Sequence, residues 1–361
     1  MSDGLENVVA AHTVLSEVDG LAGRLVIRGR SLDDLAGSAR FEDVTHLLFD
    51  GFFDDLPDDI GPLLGAARVA VFAEVGHLDA DLLKLDPVEA MRALAARLPE
   101  GHDLATALKL IAAPAVFIPA VVRAQQGLDP VAPSATSGHS ADILRMLRGR
   151  APTDLEARSL DAYLVTVSDH GLNASTFAAR VVASTRAGLT SAVLAGISAL
   201  KGPLHGGAPG PVIEMLDAIG TPGHARAWLE AALDSGDRLM GFGHRIYKVR
   251  DPRADALKAA VRRLTEGSNT APGRLAFAEA VESAALAILR ERKPDRSLQT
   301  NVEFYTALLL EGLAFPPSAF TGVFAMGRVV GWLAHAREQL AGGRIIRPQS
   351  VYVGPQPRKA A

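Results

Sequence analysis

Apolar residues recur along most of this chain at the three-to-four-residue spacing of a buried helix face. Val44, Leu47 and Leu48 form one such stripe, and Leu160, Tyr163, Leu164 and Val167 form another. Leu275, Ala278, Val281, Ala285, Ile288 and Leu289 predict a helix over residues 274–292, and Phe320, Phe324, Val330 and Leu333 predict one over 317–340. Extended character is confined to residues 13–28. There, β-branched residues flank Asp19-Gly20, a turn signal that predicts a small N-terminal hairpin. From Ser31 onward the pattern is helical, so the fold class is mostly α. Two stretches break it. Residues 125–152 are rich in Gly, Pro, Ser and Ala and read as a long loop or a loosely helical connection, and residues 267–273 read as a second break. The tail, Gly-Gly-Arg-Ile-Ile-Arg-Pro-Gln-Ser-Val-Tyr-Val-Gly over 342–354, ends a helix with glycines and then runs extended over a surface. Solenoid-length repeats and coiled-coil heptads are absent from the pattern.

Composition narrows the function. At 361 residues the chain is too long for one simple core, which predicts two domains or one large domain with an insertion, with room for a cleft between them. Lys plus Arg number 37 and Asp plus Glu 41, so no basic field draws the protein to nucleic acid or to a membrane surface. An anionic ligand must then be held by local arginines. Zero cysteines exclude disulfides, thiolate metal sites and a Cys nucleophile, and they fit a cytoplasmic protein. The start, Met-Ser-Asp-Gly-Leu-Glu-Asn, lacks the basic and apolar blocks of a signal peptide and reads as a mature N-terminus. The longest apolar run, 110–122, is interrupted by Pro114 and Pro119 and falls short of the roughly 20 residues that cross a bilayer, so it reads as buried core.

The candidate chemistry lies in three histidines and one carboxylate set at turns and helix ends. They are His170 in Asp-His-Gly-Leu-Asn-Ala-Ser, His205 in Gly-Pro-Leu-His-Gly-Gly-Ala, His244 in Gly-Phe-Gly-His-Arg-Ile-Tyr-Lys and Glu303 in Asn-Val-Glu-Phe-Tyr. Gly206-Gly207 lets backbone approach a ligand beside His205. His244 is followed by Arg245, Lys248, Arg250 and Arg253, a cationic cluster able to clamp carboxylates or phosphates. Arg328, inside an apolar helix between Gly327 and Gly331, must be paired or bind a ligand, because an unpaired buried guanidinium is costly. Gly241 and Gly243 lack the third glycine and the preceding strand of a dinucleotide fingerprint, no P-loop pattern is present, and the three histidines are too far apart for a local zinc motif. No metal is expected. His46, His77, His102, His139 and His224 are expected at the surface or as caps, and His12 and His335 are left open.

Taken together, these motifs resemble those of the citrate synthases. Asp-His-Gly-Leu-Asn-Ala-Ser-Thr-Phe, Gly-Pro-Leu-His-Gly-Gly-Ala, Met-Gly-Phe-Gly-His-Arg-Ile-Tyr-Lys with Asp-Pro-Arg, Asn-Val-Glu-Phe-Tyr and Arg-Ile-Ile-Arg-Pro occur in that family's order and at about its spacing. The resemblance spans nearly the whole chain, from Gly-Leu-Glu-Asn-Val-Val-Ala-Ala and Arg28-Gly29-Arg30 onward. It implies a citrate synthase-like two-domain helical fold, with a large domain from residues 1–206 and 314–361 and a small domain from 207–313 that closes over the site. It also implies a homodimer in which Arg347 acts in trans, and it lacks the N-terminal extension of the hexameric, NADH-inhibited members.

The activity implied is condensation of acetyl-CoA with oxaloacetate followed by hydrolysis of citryl-CoA, the reaction that opens the tricarboxylic acid cycle. By resemblance Glu303 is the base, His205 the donor to the thioester oxygen, and His244 the donor to the oxaloacetate carbonyl. His170, Asn173, Arg253, Arg328 and Arg347 bind the dianion, Lys248 lies near the CoA phosphates, oxaloacetate binds first, and no cofactor beyond the acyl-CoA substrate is implied. Rival readings are a 2-methylcitrate synthase using propionyl-CoA, since one methylene gives only about 1–3 kcal/mol of discrimination, and a weakly catalytic paralogue that senses oxaloacetate or CoA. The chain departs from the family at one place, with Glu303 where Asp is usual.

Overall fold

The computed structural model describes residues 4–5, 8–206, 209–244, 246–266 and 272–355. Its sheet has three short antiparallel strands in sequence order, β1 (Ser16–Asp19), β2 (Arg24–Ile27) and β3 (Arg30–Ser31), with Ser16 opposite Ile27 and Val26 opposite Ser31. This is the predicted hairpin with one added strand. Leu15, Leu25 and Ile27 pin it to the core. Arg28 makes the turn into β3 with a positive φ of 48° and holds it by donating to the Leu47 and Asp50 carbonyls.

The remaining regular elements among the described residues are helices. The helices are α1 (Leu32–Ala36), α2 (Phe41–Phe49), α3 (Gly61–Val71), α4 (Pro87–Ala95), α5 (Leu104–Gln125), α6 (His139–Arg148), α7 (Asp154–Val167) and α8 (Ala174–Ser184). They continue with α9 (Leu189–Leu200), α10 (Pro209–Ile219), α11 (Ala225–Asp234), α12 (Pro252–Glu266), α13 (Pro272–Arg292), α14 (Val302–Gly312) and α15 (Phe320–Gly342). Short polar side chains start many of them by accepting otherwise unpaired N–H groups: Ser31 from Asp34, Asp103 from Thr106, Asn173 from Thr176 and Asn301 from Glu303. Thr153 and Glu156 cap α7 reciprocally. Left-handed Gly149 and Gly343 end α6 and α15.

Helix α15 runs through the core against α5, α7, α8 and α9. Its glycines let it approach closer than side chains would allow. A Cβ on Gly331 would stand 2.2 Å from the Ser168 carbonyl oxygen, one on Gly327 2.5 Å from Val167, and one on Gly322 2.2 Å from Ile118. Trp332 in turn fills the notch left by Gly196 on α9. The close crossing of α15 over the end of α7 brings Arg328 under the turn that carries His170.

Several expectations need correction. Residues 125–152 are not one loose connection, because α6 occupies 139–148 with Ile143, Leu144, Met146 and Leu147 buried. His139 is not a surface residue: it is 1% exposed, its amide donates to Glu42, its Nδ1 faces Arg68 at 3.1 Å, and its ring stacks on Phe41. The buried Arg68 explains this, since it also pairs with Asp142 and donates to the Ser134 and Ser137 carbonyls, folding the loop onto α6. Pro114 and Pro119 do not interrupt their helix. α5 continues through both for 22 residues, long and apolar enough by composition to cross a membrane, but its most apolar window is 83% buried inside the fold. The second predicted break, 267–273, overlaps the start of α13, and its residues 267–271 lie outside the described residues.

Candidate active site

Two distant segments pair as a short ladder and bring His244 to Glu303. Gly243 donates to the Gln299 carbonyl at 2.7 Å, Asn301 donates to the Gly241 carbonyl at 2.9 Å, and Phe242 bridges Thr300. Both glycines have positive φ, 85° and 83°, and a Cβ on Gly241 would press on Phe304. Gly241 and Gly243 are thus a turn fitted to α14 and not a nucleotide loop. Asn301 closes the unit: its Nδ2 donates to the Gly243 carbonyl and its Oδ1 accepts from the Glu303 amide. Glu303 therefore sits in the first turn of α14, where the helix dipole favours its ionised form, yet burial wins and raises its pKa to about 7, with Asp251 adding to the rise and Arg253 opposing it.

Asp251 fixes Arg253. Its Oδ1 accepts from the Arg253 amide and Nε, and its Oδ2 accepts from Arg253 Nη2 at 2.8 Å and from the Val302 amide. One buried carboxylate thus ties Arg253 to the start of the helix carrying Glu303. Arg253 Nη2 also lies 3.1 Å from His244 Nε2. His244 Nδ1 accepts from the amides of Ile246 and Tyr247, both at 3.0 Å. That imidazole is neutral, because burial and Arg253 hold its pKa near about 4. Its single proton must then be on Nε2, so two donors face each other without bonding and a shared acceptor oxygen would satisfy both.

His170 follows α7 and is buried, with Nε2 3.1 Å from the Tyr247 hydroxyl and its ring centroid 5.8 Å from that of His244. Burial, then Arg253, Arg328, His244 and His205, push its pKa well below the imidazole range. The preceding Asp169 is held 3.2 Å from His335, which meets Arg180, which pairs with Glu338. His335 is thereby a fully buried link behind the site.

His205 lies in the turn after α9, where a Cβ on Gly206 would stand 2.6 Å from the Leu200 carbonyl oxygen. Burial, then Arg328, lower its pKa to about 4, so it too is neutral. Its Nε2 is 2.8 Å from the Ser175 hydroxyl, which also lies 2.8 Å from Asn173 Oδ1 and accepts from Trp332 Nε1. The hydroxyl has one proton for two acceptors. When it is given to His205, the imidazole proton moves to Nδ1 and that nitrogen becomes the donor. Asn173 itself is committed as the cap of α8 and as a partner of Ser175.

Arg328 is 1% exposed, donates from Nε to the Val167 carbonyl at 2.5 Å and lies over the Phe324 ring. Burial lowers its pKa to about 10, which leaves it cationic. The electrostatic reach of Arg253 and Arg328 onto His170, with Arg328 on His205 and Arg253 on Glu303, makes one site from five segments.

Three predicted cations stand apart from the cluster, although the charge of one, Lys248, still reaches His244 and lowers its pKa. Arg347 lies in the exposed tail, whose Ile346 amide binds Ser184 at the far end of α8 from Asn173. Lys248 is exposed, and its amide donates to the Gly20 carbonyl. Arg250 belongs to a structural pair with Asp255 and Glu282 and is no free clamp, while Arg245 lies outside the described residues. Conversely, Ser175, Tyr247, Asp251 and Trp332 were not singled out from the sequence, although the first three stand inside the quoted motifs. No group of three or more His, Asp or Glu side chains that could hold a metal ion occurs among the described residues.

Known proteins that resemble this chain share one family. The family profile described as citrate synthase, C-terminal domain, matches residues 4–349. The citrate synthase of Haloferax volcanii is 37% identical over 372 residues, covering 97% of this chain and 95% of that protein, and that of Acidithiobacillus ferridurans is 36% identical, covering 99% and 96%. Among solved structures, the ternary complex of Thermoplasma acidophilum citrate synthase with carboxymethyl coenzyme A and oxaloacetate superposes with a TM-score of 0.87 at 28% identity, covering 100% of this chain and 98% of that one. With a profile over nearly its whole length, relatives well above 30% identity and the same helical architecture, the chain belongs to the citrate synthase family of acyltransferases.

Proposed function

We propose that the site joins acetyl-CoA to oxaloacetate with Glu303 as base and His205 and His244 as neutral donors. One observation carries this reading: the pairing of residues 241–243 with 299–301 sets the buried Glu303 carboxyl group and the His244 imidazole on one backbone unit beside Arg253, with burial raising the pKa of the carboxyl to about 7 and lowering those of His244 and His205 to about 4. Abstraction of a thioester methyl proton needs a base of raised basicity on the carbon and a donor on the oxygen where enolate charge grows. Glu303 takes the proton. His205, donating from Nδ1 with Ser175 behind it, stabilises the thioester oxygen without supplying full positive charge.

The enol carbon then attacks the oxaloacetate carbonyl. Its oxygen accepts from His244 Nε2 and Arg253 Nη2, His244 gives it the Nε2 proton as the carbon–carbon bond forms, and the imidazole recovers a proton from water during the hydrolysis that follows. His170, Arg253 and Arg328 hold the carboxylates with Arg347 of the partner subunit, and Lys248 lies along the CoA phosphates. Water hydrolyses the resulting citryl-CoA, and acetyl-CoA is a substrate, with no resident cofactor in the scheme. In this reading residues 207–313 form the small domain that closes on the large one, 1–206 with 314–361, and shields the condensation from water.

Glu303 also bears on acyl choice. Its side chain is one methylene longer than the family's usual Asp, and in this reading the added length is taken from the acyl end of the pocket. We therefore expect acetyl-CoA to exceed propionyl-CoA in kcat/KM by roughly 10- to 200-fold, the range one methylene supports. Preference for propionyl-CoA would make the protein a 2-methylcitrate synthase, and binding without turnover of either would make it a sensor.

The pH dependence follows from the same carboxyl. As a base it must be ionised, so kcat/KM for the acyl-CoA should fall by one proton as pH drops below about 7 and level off above it. The histidines add no titration there, because both are already neutral above about 4. A profile flat down to pH 5 would contradict the assignment of Glu303.

For the shared site, Arg347→Ala mixed with His244→Ala should regain activity that neither has alone, to roughly a quarter of wild type under random pairing, since half the dimers carry one intact site. Subunit exchange without recovery would argue against Arg347 acting across a dimer.

A further inference from the structure

We propose that the N-terminal hairpin is a strap that positions the oxaloacetate-binding histidines, with Ser16 and Gly20 as its positioning residues. The inference rests on the reading above in which oxaloacetate lies between His170 and His244. The hairpin touches the backbone beside each of them. On one side, the Ser16 hydroxyl accepts the Gly171 amide at 3.0 Å, and Val18 packs where a Cβ on Gly171 would stand, 3.3 Å away. Gly171 has φ +58° and directly follows His170, so strand β1 braces the turn that aims that imidazole.

On the other side, the hairpin turn is pressed against residues 246–250. The Gly20 carbonyl accepts the Lys248 amide at 2.9 Å. A Cβ on Gly20 would be 2.4 Å from the Ile246 carbonyl oxygen and 2.8 Å from its carbon, and a Cβ on Gly23 would be 2.8 Å from Val249. Both glycines are thus required by the closeness of the contact. The segment they touch is the one whose Ile246 and Tyr247 amides hold His244 Nδ1 and so place the proton on Nε2. Displacing that backbone would turn the His244 ring away from Arg253.

The strap is tied down at both ends. Val14 donates its amide to Glu338, the end of the chain of buried groups that runs through Arg180 and His335 to Asp169, one residue before His170. Leu15, Leu25 and Ile27 anchor the strands in the core. Residues 14–20 therefore span both histidine segments with a fixed base, a geometry that a hairpin serving only as a fold element does not need.

The test is calorimetric binding of oxaloacetate to the full-length protein as wild type, Ser16→Ala, Gly20→Ala and Leu21→Ala, each with its thermal midpoint. Leu21 is at the hairpin turn and 78% exposed, so its variant is the control. Loss of the Ser16 hydroxyl, which accepts the Gly171 amide and bonds Asp169 beside His170, should weaken oxaloacetate binding by roughly two- to tenfold. Gly20→Ala should weaken it by at least about tenfold, because backbone must move by several tenths of an ångström and positioned contacts tolerate little of that. Leu21→Ala should bind as wild type, and Ser16→Ala should keep a near-wild-type midpoint. Wild-type affinity in both Ser16→Ala and Gly20→Ala, whatever their midpoints, would overturn the strap alone; where Gly20→Ala fails to fold, Ser16→Ala decides. A wild-type protein that takes up no oxaloacetate would remove the reading of the site and the strap with it.

Discussion

The pairing of residues 241–243 with 299–301 is the constraint on which the site depends. It joins a loop and a helix start that are more than fifty residues apart in sequence, and both of the groups it positions sit within two residues of its end. His244 follows Gly243 directly, and Glu303 is two residues past Asn301. Because Asn301 spends its amide, its side-chain carbonyl and its side-chain NH2 on this junction, neither residue can shift without the other. Asp251 repeats the device one layer out by binding both Arg253 and the Val302 amide. His244, Glu303 and Arg253 thus share one hydrogen-bonded backbone unit.

Desolvation then sets the protonation states. The same burial that keeps His170, His205 and His244 neutral keeps Glu303 poised near 7, since in each case the charged form loses water. Arg253 and Arg328 reinforce the effect on the imidazoles, and Arg253 opposes it on the carboxylate. Arg253 is compensated by Asp251, whereas Arg328 has a backbone carbonyl, an aromatic face and only longer-range attraction from Asp169. An incoming dianion would supply the charge that Arg328 lacks. A site built this way binds its anionic substrate partly to satisfy the protein.

Local periodicity made the hairpin and the long helices legible. Stripes such as Leu275 to Leu289 need no knowledge of partners, and Asp19-Gly20 is a turn wherever it occurs. Helix α6 was missed because its four apolar residues are packed into half of a short segment flanked by Gly, Pro and Ser, and the buried ion pair of Arg68 with Asp142 that stabilises it links residues 74 positions apart. The apolar run around Pro114 and Pro119 was legible as buried core, and that burial offsets the cost of proline in a helix, about 3 kcal/mol, so α5 continues through both.

In the site, His170, His205, His244 and Glu303 stood out because glycine and asparagine mark the turns that present them. Ser175 did not, since its role comes from meeting Trp332 and His205 in space. Arg250 was overread for the converse reason: neighbouring charges in sequence do not show that Glu282, on another helix, has claimed one of them. The substitution of Glu for the usual Asp at 303 was legible as a fact, but its consequence depends on the side chain's burial and field.

The account turns on whether one carboxyl group removes the proton from carbon. Exchange of acetyl-CoA methyl protons with solvent deuterium, followed by mass spectrometry in the presence of a non-reacting oxaloacetate analogue, measures that step without the rest of the cycle. Glu303→Gln keeps the shape of the side chain and the cap at Asn301 while removing the base, so exchange should fall by orders of magnitude while binding of the analogue stays close to wild type. Exchange at the wild-type rate in Glu303→Gln would show that another group takes the proton and would contradict the account.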